Sequence, residues 1–194
     1  MDYKSEFLEK SILGREINLD NAEEVMRRCI SLRYKDMNVA ARFCITNKVR
    51  KECNIKSKEE ICDEVYNLLK KNNWNFSRDI IKEVSKIIYS DEKIINKKRY
   101  VTTYGLAQKI VNMSFKYFYV FNSHIAENIK IEYANCDCPL DSIILGKAEI
   151  DNCIWSKLTE EEYIYCQNKI SGLLDARNER SQNIGNLEFD FLNW

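Results

Sequence analysis

Five glycines and a single proline, Pro139, in 194 residues constrain the fold of this chain more than any other feature. A β-sandwich or barrel needs a turn about every 8–12 residues, and turns lean on glycine and proline. Those architectures are excluded, as are collagen-like, Pro-rich and most Gly-rich phosphate-loop chains. The periodicity that remains is helical. Ala22, Val25, Met26, Cys29 and Ile30 share one face of a first helix. Ser57 with Glu60 has capping-box spacing ahead of Ile61, Val65, Leu68 and Leu69. Ser77 is placed to cap a helix carrying Ile80, Ile81, Val84, Ile87 and Ile88. After Gly105, the positions Leu106, Ile110, Met113, Tyr117 and Phe121 define a long helix, and Thr159 with Glu162 opens another bearing Tyr163, Cys166, Ile170 and Leu173. Lys130 to Tyr133 alternates over too few residues to count as a strand. The expectation is an all-α chain, a single mostly helical domain over residues 1–194.

A composition of 45% hydrophobic and 31% charged residues places the chain among folded globular proteins rather than disordered ones. No apolar run reaches the roughly 18–20 residues that span a bilayer, so no membrane partner is expected. The opening Met1-Asp2-Tyr3-Lys4-Ser5-Glu6 lacks the basic and then apolar pattern of a signal peptide, and the expected location is cytoplasmic. In a reducing compartment the eight cysteines (Cys29, Cys44, Cys53, Cys62, Cys136, Cys138, Cys153, Cys166) read as small buried hydrophobes. Cys136-Asp137-Cys138 with Cys153 is the one cluster to weigh for metal. It lacks a second ligand pair, and the sole histidine, His124, lies twelve residues away. No metal and no cofactor are expected.

Thirty basic and thirty acidic residues balance overall but are unevenly placed. Between Lys93 and Ala126 there is no acidic residue, while Lys93, Lys97, Lys98, Arg99, Lys109 and Lys116 are basic. Between Met26 and Lys51 eight bases face Asp36 alone, and from Glu127 onward thirteen acids face six bases. Such partition points to a polyanion-binding face, with Lys97, Lys98 and Arg99 as phosphate contacts. In the acidic final third, Leu187, Phe189, Phe191, Leu192 and Trp194 are too apolar to stay in water. They dock on the core or serve a protein partner.

The stretch from Tyr104 to Leu145 is the most informative for chemistry. Lys109 falls early in an apolar helix inside the acid-free window. Asp141 follows Pro139, which favours a helix start just after it, and precedes Ile143-Ile144-Leu145. A plain helix N-cap is the simplest reading of Asp141.

The glycine-bearing turn at Tyr104-Gly105, the following Lys109 and the segment Pro139-Leu140-Asp141-Ser142-Ile143-Ile144 resemble the helix-hairpin-helix DNA glycosylases, closest to the 8-oxoguanine-glycosylase-like branch. The chain also resembles a family of bacterial proteins with no assigned activity. These share Tyr-Gly-x-Ala-Gln-Lys, Asn-Met-x-x-Lys-Tyr, Pro-[Ile/Leu]-Asp and a closing Glu and Trp like Glu188 and Trp194. The glycosylase resemblance implies a helix-hairpin-helix-like element, DNA as partner, and excision of a damaged base such as 8-oxoguanine, with strand-cleaving lyase activity as an option. It assigns Lys109 as the nucleophile and Asp141 as its assistant, with Lys116 as an alternative nucleophile or DNA contact. Gly105, beside Lys97, Lys98 and Arg99, is assigned to the nucleic-acid-binding surface. Where that family carries two glycines, Gly105 stands alone, and Asn122 to Asp137 reads as an insertion. Tyr117, Phe118, Tyr119, Trp155 and Tyr163 are the rings available to line a base pocket. The competing expectation is a non-catalytic all-α module that binds nucleic acid or a protein.

Overall fold

A computed structural model describes residues 12–14, 17–41, 56–88, 93–95, 98–125, 129–177 and 184–193. The fold is helical. Helices α1 (Ala22–Ala41), α2 (Lys58–Lys71) and α3 (Arg78–Ile88) precede a short antiparallel ribbon of β1 (Lys93–Ile95) and β2 (Lys98–Tyr100). The ribbon pairs Lys93 with Tyr100 and Ile95 with Lys98. Helices α4 (Tyr104–Val120), α5 (Asn122–Ile125), α6 (Ser142–Lys147), α7 (Glu160–Ala176) and α8 (Leu187–Asn193) follow, with 3₁₀ turns at Tyr133–Asn135 and Trp155–Lys157. The ribbon was not expected from the sequence: three residues per strand carry too little alternation to register as a pattern.

Local chemistry sets the helix boundaries where it was legible. Ser57 and Glu60 form a reciprocal capping box at the start of α2, and Thr159 and Glu162 do the same for α7. Helix α3 begins directly after Ser77 and buries Ile80, Ile81, Val84 and Ile88. Helix α4 departs from the expected single stripe, because every residue from Gly105 to Lys116 is buried. It is the axis of the molecule, packed against α1, α3, α7 and the 155–157 turn. A helix that buries side chains on all sides, polar ones included, can do so only by being surrounded.

One connected set of buried side chains runs from Val25, Met26 and Ile30 of α1 through Ile110 and Phe115 of α4 to Leu187 and Phe189 of α8. The C-terminal segment therefore docks on the core. Gly185 permits this with a φ of 54°, and a Cβ there would sit 2.3 Å from the carbonyl oxygen of Ala134. No helix among the described residues is long and apolar enough to cross a membrane.

Candidate functional site

The site is built around the N-terminal half of α4. Thr103 caps this helix, its hydroxyl accepting the Leu106 N–H at 3.1 Å and donating to the Ser156 carbonyl at 2.7 Å. Gly105 is there for close approach. A Cβ at this position would lie 1.9 Å from the carbonyl oxygen of Trp155, and the Gly105 N–H donates to the Leu158 carbonyl at 3.1 Å. The 155–158 strip is thereby clamped against the first turn of the helix.

One turn further on, Lys109 is almost wholly buried, and its Nζ donates to Asp141 Oδ2 at 2.9 Å. The Trp155 ring lies 5.8 Å from the same Nζ, close enough for a cation–π contact. The two oxygens of Asp141 divide their tasks. Oδ2 meets Lys109, while Oδ1 accepts the N–H groups of Ile143 at 3.0 Å and Ile144 at 2.9 Å, capping α6. The expected cap and the expected pairing with lysine are both present in one carboxylate. Burial opposes the charge on Asp141, but the Lys109 ammonium and the amides of Ile144 and Ile143 outweigh it. The carboxyl is held below its usual range.

A second buried pair adjoins the first. Lys116, two turns beyond Lys109, is ion-paired with Asp190 of α8. The side chain of Asp190 is 1% exposed against 22% for Asp141, so the Lys109 pair has the more open carboxylate. Burial pushes the Asp190 carboxyl up despite the opposing Lys116 charge. Cys138 lies among all four charged groups with its thiol fully buried and its pKa raised by burial. Cys136 is likewise buried, so this Cys-x-Cys faces the core. Among the described residues no cluster of His, Cys, Asp and Glu has the makings of a metal site.

Below the pairs lies a buried polar network. Gln108 and Gln167 bond the backbone of Leu140 and Cys138, and Asn112 Nδ2 bonds Gln108, the Cys138 carbonyl and the Tyr163 hydroxyl. Tyr163 donates to Asp137 at 3.0 Å, and Asp137 also takes a two-pronged bond from Arg78 at 2.8 and 3.1 Å.

The site residues expected from the sequence separate accordingly. Lys109 and Asp141, 32 positions apart, come together, with Lys116 in the neighbouring pair. Gly105 does not fit its assignment as a nucleic-acid contact: it is buried, its amide is taken by Leu158, and its role is to let two backbones touch. Lys97 lies outside the described residues, as do the side chains of Lys98 and Arg99, whose backbone forms β2. Trp194 also lies outside them. Among the candidate pocket rings, Trp155 adjoins Lys109, whereas Phe118 packs edge-on against Trp74 in the core and Tyr117 stacks near Phe121. Tyr119 packs against Tyr133 and Phe191.

Asp190 and the amides Gln108, Asn112 and Gln167 went unrecognised in the sequence. Their available signal was position: Gln108 and Asn112 are four apart, so they share one face of the α4 helix. Comparison with protein-family models, curated proteins and solved structures finds no match to this chain.

Proposed function

We propose that this chain is a DNA base-excision glycosylase with lyase activity, working in the cytoplasm on a damaged base such as 8-oxoguanine. The observation that carries the reading is the contact of Lys109 Nζ with Asp141 Oδ2 at 2.9 Å. It joins an amine and a carboxylate from distant parts of the chain beside an aromatic ring, where the carboxylate is still reached by solvent. The resemblance of Tyr104–Leu145 to the glycosylases assigns the same two residues.

The chemistry follows from those groups. A duplex nucleotide must first leave the stack, at a cost of a few kcal/mol, to expose its sugar. Lys109 Nζ, once it has given up a proton, attacks C1′ with its lone pair. The N-glycosidic bond breaks, its electron pair leaving with the base, which takes up a proton. As positive charge builds on the sugar, the Asp141 carboxylate stabilises it, as carboxylates do in glycoside hydrolysis. Ring opening then moves a proton from Nζ to O4′ and gives a Schiff base. Loss of a C2′ proton from it expels the 3′-phosphate and breaks the strand. Lys109 is preferred to Lys116 as nucleophile because Lys116 is held by the deeper carboxylate, Asp190. Lys97, Lys98 and Arg99, of which Lys98 and Arg99 belong to strand β2 just ahead of α4, are the residues proposed to make phosphate contacts that position the duplex without reading sequence.

One observation favours a second reading. Asp141 Oδ1 already caps α6, and the Lys109 pair is consistent with a structural ion pair in a non-catalytic helical module that binds nucleic acid or a protein. The discriminating experiment is borohydride trapping on duplexes containing 8-oxoguanine or other damaged bases. A covalent protein–DNA adduct that disappears in Lys109→Gln supports excision. No adduct with any lesion, in a folded protein, removes it in favour of the structural reading.

A further inference from the structure

The segment that carries Asp141 is held in a way that simple packing does not require. Gln167 Oε1 accepts the Cys138 N–H at 3.0 Å while its Nε2 donates to the Cys138 carbonyl at 2.7 Å. Gln108 repeats the pattern two residues on: its Oε1 accepts the Leu140 N–H at 3.2 Å and its Nε2 donates to the Leu140 carbonyl at 2.9 Å. Each glutamine thus pairs with one residue at both its N–H and its C=O, as a neighbouring strand would in an antiparallel ladder. Pro139 lies between the two gripped residues and brings no N–H that would need a partner.

Both amides are themselves oriented. Asn112 Nδ2 donates to Gln108 Oε1 at 3.0 Å, and Asn186 Nδ2 donates to Gln167 Oε1 at 3.2 Å. Asn112 Nδ2 also reaches the Cys138 carbonyl at 3.1 Å, tying the two grips together. Gln108, Asn112 and Gln167 are essentially without exposure and Asn186 is buried. The amide oxygen and nitrogen of both glutamines are bonded, and buried polar groups satisfied in this manner specify one arrangement where an apolar contact would tolerate several.

We infer that Gln108 and Gln167 are positioning residues that set where the Asp141 carboxylate stands relative to Lys109. The Leu140 carbonyl held by Gln108 belongs to the same peptide plane as the Asp141 nitrogen, so the grip fixes the plane from which Asp141 departs. Gln108 also adjoins Lys109 in α4, so one helical turn presents the amine and registers its partner. The inference deepens the base-excision reading and rests on it for its catalytic meaning, but its geometry can be tested without DNA. The charged groups around Asp141 are Lys109 and, further off, Asp190 with Lys116.

The test compares wild type with Gln108→Met, which is close in size but cannot grip the backbone. Its first readout is a carbon-13 titration of the Asp141 carboxylate in the free protein. Wild type titrates below the usual carboxylate range, and Gln108→Met moves that titration upward. The second readout is single-turnover adduct formation on a lesion duplex. Its rate constant falls about tenfold to a hundredfold, the cost of displacing a reacting group by about 1 Å, while duplex affinity stays within about twofold. A folded Gln108→Met with the wild-type titration and rate overturns the inference. Should that variant not fold, Gln167→Met is read in its place. It keeps the Gln108 half of the clamp and is expected to shift the titration in the same direction, and wild-type behaviour in the folded variant overturns the inference. The titration decides the clamp even if wild type traps no lesion, an outcome that removes base excision and leaves the positioning of Asp141 standing.

Discussion

Between helices α1 and α2 the charged side chains stay at the surface. Arg27 pairs with Glu23 and Asp63 and lies over the Tyr66 ring, above an apolar layer of Val25, Cys29, Ile61 and Val65. Around helix α4 the charges lie inside. Lys109–Asp141 and Lys116–Asp190 are buried or nearly so, and Asp137, itself buried, anchors Arg78. Surface pairs such as those of Arg27 are screened by solvent, and a protein loses little by changing them. Buried pairs carry a desolvation cost that hydrophobic residues of the same volume would avoid. Keeping two such pairs along one helix, with a polar network beneath, is a poor route to stability alone. It is what a site requires if it must hold an amine and a carboxylate in register.

The sharpest structural test of this contrast is Gly105→Ala. The added methyl meets the Trp155 carbonyl oxygen at 1.9 Å with backbone on both sides, leaving little room for adjustment. The expected cost exceeds about 3 kcal/mol, read as a large fall in the thermal or urea midpoint. A loss under about 1 kcal/mol would mean that the 155–158 strip is not clamped to α4.

Ile30→Ala, in the apolar region, should cost about 2–5 kcal/mol of stability through the cavity it leaves. Measured well below its melting midpoint, the variant should still form adduct at the wild-type single-turnover rate. A comparable fall in rate and stability would erase the distinction between the two regions.

The smallest effect is a pH dependence. The Asp141 pKa is lowered in the folded state, so its ionisation contributes stability that is present above the unfolded value. That contribution disappears as pH falls from about 4, the ordinary aspartate range, through the lower folded value. Asp141→Asn should therefore be most destabilised relative to wild type near neutral pH, with the gap narrowing in acid. Urea midpoints at a series of pH values give the comparison directly, and a gap independent of pH would show that the carboxylate gains nothing from Lys109 and the α6 amides.

What the sequence revealed was local. The boxes at Ser57–Glu60 and Thr159–Glu162, the stripe of α3 and the cap at Asp141 depend on residues within one or two turns of each other. Their chemistry is therefore readable in order along the chain. The meeting of Lys109 with Asp141 is not of that kind, and only a resemblance to known glycosylases linked them. The clamp of Gln108 and Gln167 was invisible because amides in a helix look like solvent-facing positions until the segment they grip is in place. Gly105 was misread for a related reason. A lone glycine before a helix signals a turn, whereas here it answers to a strip of backbone 50 residues later. Asp190 reaches Lys116 only because Gly185 and Asn186 turn the C-terminal segment back onto Ala134 and Cys136.

The base-excision proposal is tested most directly by asking whether a lysine becomes covalently attached to DNA, and which one. Wild-type protein is trapped with borohydride on a lesion-bearing duplex, digested, and the peptide retaining the sugar remnant is sequenced by mass spectrometry. Attachment at Lys109, in the peptide containing Gln108 and Ile110, is the predicted result. Attachment at Lys116 instead, or an adduct that persists undiminished in Lys109→Gln, would contradict it.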